Sequence, residues 1–184
     1  MKIASKLSLL PLVACAALLA AESAVAQNAT GTLTVTASVP KSCRFQSGQD
    51  AQTMAFGQVD PWAAGPVDAA ATFIAQCSVG TTVKAGLGAG QNEQSSVRRM
   101  RGQTTNTEYL NYTLYSNSGR TTAWPIATSC SDNANLVTPE GVSNPLANSS
   151  PFNVPVYGRV LTADAQNVSA QNYQDTVTVW ICAQ

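Results

Sequence analysis

Polar and apolar residues alternate without a break across residues 31–39. Leu33, Val35, Ala37 and Val39 fall on one side of an extended chain, and Thr32, Thr34, Thr36 and Ser38 on the other. Successive side chains of a strand point to opposite faces, so this run predicts a ribbon with one apolar and one hydroxyl face. The branched Cβ atoms of Thr and Val suit the pleated backbone. Pro40 ends the run by removing a ladder donor. Such a ribbon needs a groove to fill, in its own chain or in another.

Short apolar segments separated by turn-rich ones continue to the C-terminus. Residues 53–56 read as a short strand ending at Gly57, residues 69–77, with Phe73 and Ile74, as a longer one, and residues 81–87 as another, broken by Gly86 and Gly88. Leu110, Tyr112 and Leu114 mark a strong strand over residues 110–115, followed by a turn at Asn117-Ser118-Gly119. Residues 154–161 resume the sheet and residues 175–182 close it. Asp60-Pro61 and Gly65-Pro66 frame a loop carrying Trp62. Residues 91–107 read as a polar loop, 124–126 as an edge or loop, and 131–151 as a long surface loop. Many short strands without a helical period predict an all-β antiparallel sandwich. In the final strand Val177, Val179 and Ile181 share one face, while Thr176, Thr178, Trp180 and Cys182 share the other. A terminal strand apolar on both faces is a poor open edge, because unpaired backbone groups template aggregation, so a cover is expected for it.

The first 26 residues are expected to lie outside the fold. Lys2 and Lys6 precede a run that is apolar from Leu9 to Ala21, and Ala24-Val25-Ala26 supplies a small-x-small cleavage site. This reads as a cleaved secretory signal, with Gln27 as the first mature residue. The apolar run is shorter than the roughly 20 residues a membrane-spanning helix needs. Cleavage leaves 158 residues, enough for one domain. Eight basic and nine acidic residues remain once Lys2, Lys6 and Glu22 depart, so neither nucleic acid nor an anionic membrane is an expected partner. No membrane span is expected after cleavage.

Export changes the reading of the cysteines. Cys15 leaves with the signal, and Cys43, Cys77, Cys130 and Cys182 remain. Four cysteines in an exported chain predict two disulfides with three possible pairings. The sequential pairing, Cys43 with Cys77 and Cys130 with Cys182, is expected. The closely spaced pairs of a zinc site are missing, and neither metal nor cofactor is expected.

Catalytic signals are sparse. The chain has no histidine, which removes Ser/His/Asp and Cys/His systems. Asp60 with Asp68, or Glu93 with Glu108, could form a carboxylate pair, but solvated loop carboxylates are the expected state. Arg98, Arg99 and Arg101 could bind an anion, with a solvated turn the plainer reading. Gly86, Gly88 and Gly90 lack the Lys-Ser/Thr ending of a phosphate loop and read as a flexible turn. Trp62, Trp124 and Trp180 could form a sugar platform, or serve core or interface packing.

Taken in order, several of these segments resemble the spore coat protein U domain family, which includes secreted subunits of archaic chaperone–usher pili. The resemblance rests on the alternating run before Cys43, Phe56-Gly57, the strand from Phe73 to Cys77 with Ser78, and Arg99-Met100. It continues through residues 110–115, Trp124, Val156-Tyr157-Gly158-Arg159 and residues 173–177. The ending, Ile181-Cys182-Ala183-Gln184, departs from the aromatic close frequent in the family, and Asn172 stands near a frequent glycine. The resemblance implies an incomplete immunoglobulin-like antiparallel sandwich completed by a donor strand. It divides the chain into a signal (1–26), a donor segment (27–40) bearing Leu33, Val35, Ala37 and Val39, and a pilin-like domain (41–184). Val177, Val179 and Ile181 would form the edge that a periplasmic chaperone covers first. An outer-membrane usher would then let the next subunit's donor segment replace the chaperone, in a head-to-tail polymer. The implied protein is a non-enzymatic pilus subunit for adhesion and biofilm formation, passing through the periplasm to a cell-surface pilus or the medium. The alternative is a self-contained secreted sandwich binding carbohydrate or coat components.

Overall fold

In the computed structural model, residues 28–184 are described, and the expected signal lies outside them. The chain divides into two units, residues 1–37 and 38–184. In the first, residues 28–37 carry no strand and are exposed. The second unit holds the elements β1 (Cys43–Phe45), β2 (Val67–Cys77), β3 (Val83–Leu87), β4 (Arg98–Gly102), β5 (Tyr109–Tyr115) and β6 (Phe152–Val160). They are followed by a single helical turn α1 (Thr162–Ala165), β7 (Tyr173–Gln174) and β8 (Val179–Ala183).

Six strands form one antiparallel sheet in the order β1-β2-β6-β5-β4-β7, and β3 pairs with β8 in a second. Phe73 and Ala75 of β2, Leu110, Tyr112 and Leu114 of β5, and Val154, Val156 and Val160 of β6 meet Ala85 and Leu87 of β3 in one core. Each of these strands alternates, so burying one face of each sheet against the other removes the apolar stripes from water. The all-β sandwich expected from the pattern is therefore the fold. Two ends can be defined on it. At the lower end, the close of β2, the start of β3 and the close of β8 gather round Ser42: Ser78 N donates to Ser42 O (2.9 Å), Thr81 N to Ser78 O (3.3 Å) and Gln184 N to Thr82 O (2.9 Å). The start of β2, the close of β6 and the start of β8 mark the upper end.

Four expectations are corrected. Residues 31–39 form no strand, since a strand exists only through its ladder and these residues have no ladder partner among the described residues. Residues 53–56 keep the alternation, with Met54 and Phe56 half-buried, yet form no ladder either. They pack across the face of β6 at Gly158, where an added Cβ would lie 2.3 Å from Met54 Sδ. β6 is already paired on both sides, with β2 and β5, and offers only side-chain contact. The last ladder begins at Val179 rather than 175. Gly88 N still reaches Thr178 O (2.8 Å), but the partner chain then turns at Gly90 (φ +86°).

The fourth correction is Arg98, read from the sequence as part of a solvated turn. It opens β4 and is buried. Its guanidinium donates to Gly88 O (2.8 Å), Leu87 O (3.1 Å), Trp124 O (2.9 Å) and Pro125 O (3.1 Å). Only the planar guanidinium fork can serve so many carbonyls at once. Burial lowers its pKa from the usual arginine value, and Tyr112 and Asp175 oppose that shift. Arg98 thus links β4 of the large sheet to the end of β3 in the small one. Replacing Arg98 with Leu strips the carbonyls of Gly88, Trp124 and Pro125 of this donor, leaves Leu87 O only its bond from Ala127 N–H, and is expected to destabilise the domain by about 3 kcal/mol. The urea midpoint of the mature protein measures this, and an unchanged midpoint would refute the bridging role.

Candidate functional site

The ladder between β3 and β8 decides which way the last strand faces. Thr82 and Gln184 exchange both backbone bonds (3.3 and 2.9 Å), so residues 178, 180, 182 and 184 turn toward β3. The N–H and C=O groups of Val179, Ile181 and Ala183 turn to the opposite edge, where they have no backbone partner among the described residues. β1 is likewise paired on one side only, with β2, and lies near β8. Two strand edges therefore face a shared gap.

Beside this edge lies an open cleft of about 1320 Å³. Its floor is the core itself: Phe73, Leu87, Leu110, Tyr112, Leu114 and Val156. One wall is residues 52–61 and the other residues 168–177, continued by Val179. Val177 and Val179 line the cleft, whereas Ile181 packs against the core without lining it. At the lower end Lys41 Nζ donates to Gln184 O (2.7 Å), tying the chain before β1 to the close of β8. At the upper end the lining reaches Asp60, Pro61 and Ala165, which mark the mouth of the cleft.

A polar cluster fixes one side of the floor. Tyr112 donates its hydroxyl to Asp175 Oδ2 (2.6 Å), while Gln91 N–H and the Asn92 amide donate to Oδ1 (both 2.9 Å). Burial, followed by the bond to Asp175, pushes the Tyr112 phenol well above its ordinary pKa, so it stays a donor. The wall that carries Asp175 is also held by Glu108, which accepts from Ser169 Oγ (2.7 Å), Ser169 N (3.0 Å) and Gln171 Nε2 (2.9 Å). The Ser169 bonds, with smaller help from Tyr173 and Gln171, hold the Glu108 carboxyl below its ordinary value.

The cysteines pair as Cys43–Cys77 and Cys130–Cys182. The first fastens β1 across to β2. The second anchors β8 from its far face, where Cys182 and Trp180 pack with Ala127 and Leu136. Gly86 belongs to this layer rather than to a flexible turn: a Cβ there would lie 2.8 Å from Leu136. Leu33 (86 %), Val35 (83 %) and Val39 (87 %) are exposed, as is Ala37.

Other candidates do not converge. Trp124 is buried at 2 % exposure, its indole Nε1 without a partner, Trp180 packs in the second layer, and Trp62 stands exposed at 83 %, so no shared sugar platform exists. Asp68 is held by Arg159 through two bonds (2.7 and 2.9 Å), which, with Arg120 nearby, lower its pKa. Asp60 accepts from Trp62 N–H, and Glu93 from Ser96 N–H. Arg99 lies over the Tyr109 ring (4.2 Å) and Arg101 is exposed. No group of acidic, Cys or His residues suited to a metal occurs among the described residues. The walls were the part hidden in sequence. Residues 168–173 carry no period, and in the sequence Glu108 reads only as a possible member of a carboxylate pair with Glu93.

Comparison with known proteins adds four likenesses. The Spore Coat Protein U domain profile matches residues 29–180. "Protein U" of Myxococcus xanthus is 33% identical over 190 residues, covering 97% of this chain and 98% of that protein. Among solved structures, the CsuC–CsuE chaperone–tip adhesion subunit pre-assembly complex of Acinetobacter baumannii pili aligns at 25% identity and a TM-score of 0.49. That alignment covers 78% of this chain but 40% of the other. A chaperone–tip adhesin complex of CFA/I fimbriae biogenesis aligns at 11% identity and a TM-score of 0.36, covering 78% and 41%.

The Glu108 clasp carries a pH dependence with a definite sign. A carboxylate whose pKa is lowered by folding stabilises above its unfolded value, near 4.5, and that contribution disappears as pH falls through the lower folded value. Amide protection of residues 168–173 is therefore expected to drop in acid before that of β2 and β6. In Glu108→Gln the wall should already be less protected at neutral pH and show a flatter acid response. Equal pH profiles in the two proteins would rule the clasp out.

Proposed function

The chain belongs to the Spore Coat Protein U domain family, and from that premise we propose that it is a structural, non-enzymatic subunit of a surface pilus. Residues 27–40 of one copy act as the donor segment for the cleft of the next. The observation that carries this reading is the cleft beside β8: half-buried Val177 and Val179 border it over a floor of core side chains, along a strand edge with free backbone groups. A sandwich in that state exposes both apolar surface and unpaired N–H and C=O groups, the two liabilities that one added strand removes together.

Residues 31–39 have the chemistry that such a gap requires. Leu33, Val35 and Val39 would each contribute up to roughly 1.5–3 kcal/mol on burial, and Ala37 less. Each ladder bond to Val179, Ile181 or Ala183 adds about 1 kcal/mol. The hydroxyl face, Thr32 to Ser38, stays in water. Because donor and acceptor are different surfaces of the same chain, the linkage runs head to tail without closing and builds a fibre. Before assembly the exposed cleft needs a substitute strand. A periplasmic chaperone would supply it and an outer-membrane usher would exchange it, so the protein passes through the periplasm to the cell surface. Adhesion and biofilm formation are the roles such a fibre serves.

Removing residues 27–38 from the mature chain tests this. The shortened protein is expected to be recovered folded with its chaperone and to form no fibres, while still accepting the arm of an intact copy as a terminal partner. Val35→Asp should reduce fibre yield sharply without altering the isolated domain. Fibres of normal yield from the shortened chain would end the proposal. Loss of folding in the shortened chain would instead favour the self-contained sandwich.

A further inference from the structure

Two exposed apolar patches stand at opposite ends of the domain. At the upper end Trp62 projects from the turn that follows Asp60, and Leu161 follows the close of β6; both are exposed. The turn is built rather than loose: Trp62 N–H donates to Asp60 Oδ1 (2.9 Å), Ala63 N to Asp60 O (3.1 Å), and the Gln166 amide to Pro61 O (2.9 Å). At the lower end Val79 is exposed just past the close of β2. The eleven residues of β2 separate the patches by about 35 Å at the usual strand rise, so they cannot meet within one copy.

We infer that these patches are the two halves of a contact between successive copies, with Trp62 and Leu161 of the acceptor seated against Val79 of the donor. The inference rests on the donor-strand reading above and adds a second interface to it. Three observations place the ends together. First, the lining of the cleft reaches Asp60, Pro61 and Ala165 at the upper end and includes none of the lower-end residues joined by the Lys41–Gln184 bond, while every ladder in the two sheets is antiparallel. An arm lying in it therefore leaves from the upper end, antiparallel to β8. Second, only Pro40, Lys41 and Ser42 separate Val39 from Cys43, a tether of at most about 14 Å when extended. The donor's lower end is thus held against the acceptor's mouth. Third, Val79 adjoins Ser78, which exchanges bonds with the residue that ends that tether: Ser78 N donates to Ser42 O (2.9 Å) and Ser42 N to Ser78 Oγ (3.0 Å). Val79 consequently arrives with the arm at the end of the acceptor where exposed Trp62 follows the lining residues Asp60 and Pro61. A tryptophan can bury roughly 150–250 Å² there, enough to set the angle between successive domains.

The test is a cysteine pair, Trp62→Cys with Val79→Cys, in the full-length chain produced together with its export apparatus. Mild oxidation of the recovered fibres should give a ladder of cross-linked multimers, several-fold stronger than in either single variant, because a disulfide needs Cα atoms within about 7 Å. Fibres that form but do not cross-link would overturn the end contact and leave the donor-strand reading standing. Fibres unaffected by removal of residues 27–38 would overturn both. Should the cysteine variants misfold, tryptophan fluorescence gives an independent answer. Emission from the intact chain should shift to the blue on assembly and that shift should shrink in Trp62→Phe; equal shifts in the two proteins would refute the contact.

Discussion

The backbone of β8 can be satisfied on one side only. Residues 178, 180, 182 and 184 spend their N–H and C=O groups on β3, and the alternation of an antiparallel ladder then sends those of Val179, Ile181 and Ala183 the other way. Nothing in the sequence of β8 could avoid this, since the direction is a property of the ladder. What the sequence does control is the company the edge keeps. Val177, Val179 and Ile181 hold it against apolar core, and at Val179 the edge borders a cleft whose floor is Phe73, Leu110 and Val156. An edge set in apolar surroundings is far more demanding of a partner than one in solvent.

Several devices keep the cleft open rather than letting it collapse. Collapse would require the two sheets to close on each other, and each is pinned. Arg98 spans from β4 to the carbonyls of Leu87 and Gly88 at the end of β3, fixing the separation of the sheets behind the cleft. Cys182 is bonded to Cys130, anchoring the far face of β8 in the second apolar layer while Val179 and Ile181 pack against the main core. Tyr112 and Asp175 put a satisfied polar pair on the floor, which discourages neighbouring apolar residues from filling the space. Further along the wall that carries Asp175, Ser169 is clasped by Glu108. Shape is maintained by polar and covalent links, leaving the apolar surface of the cleft unspent.

The legible parts of this arrangement were those with a period. β2, β5 and β6 were readable because Phe73, Leu110, Tyr112, Leu114, Val154 and Val156 alternate with polar neighbours, and alternation is a local property. The faces of the last strand were readable for the same reason, with Thr176 and Thr178 exposed and Val177 and Val179 turned inward. Where local pattern and tertiary context diverge, the reading failed. Met54 and Phe56 alternate like a strand but meet a sheet face instead of an edge. Arg98 sits in a polar run and looks solvated, because nothing local shows that four carbonyls converge on it from two chain segments. Glu108 and Ser169 lie far apart in sequence and meet only because β5 and the segment before β7 are folded together.

The tether bears on whether an arm serves its own cleft or another's. Cys43 begins β1 at the lower end, and the three residues before it reach at most about 14 Å. The open mouth lies at the upper end, beyond the length of β2. An arm entering its own cleft through that mouth would have to cover roughly 35 Å of strand length before its first apolar residue could be placed. Entry from the lower end would require displacing the Lys41–Gln184 bond and would run the arm parallel to β8, whereas every strand pair in the two sheets is antiparallel. For the arm of a neighbouring copy neither obstacle exists, because the neighbour's lower end can be brought directly to the mouth. The short tether that makes self-filling costly is the same feature that would hold successive domains in contact.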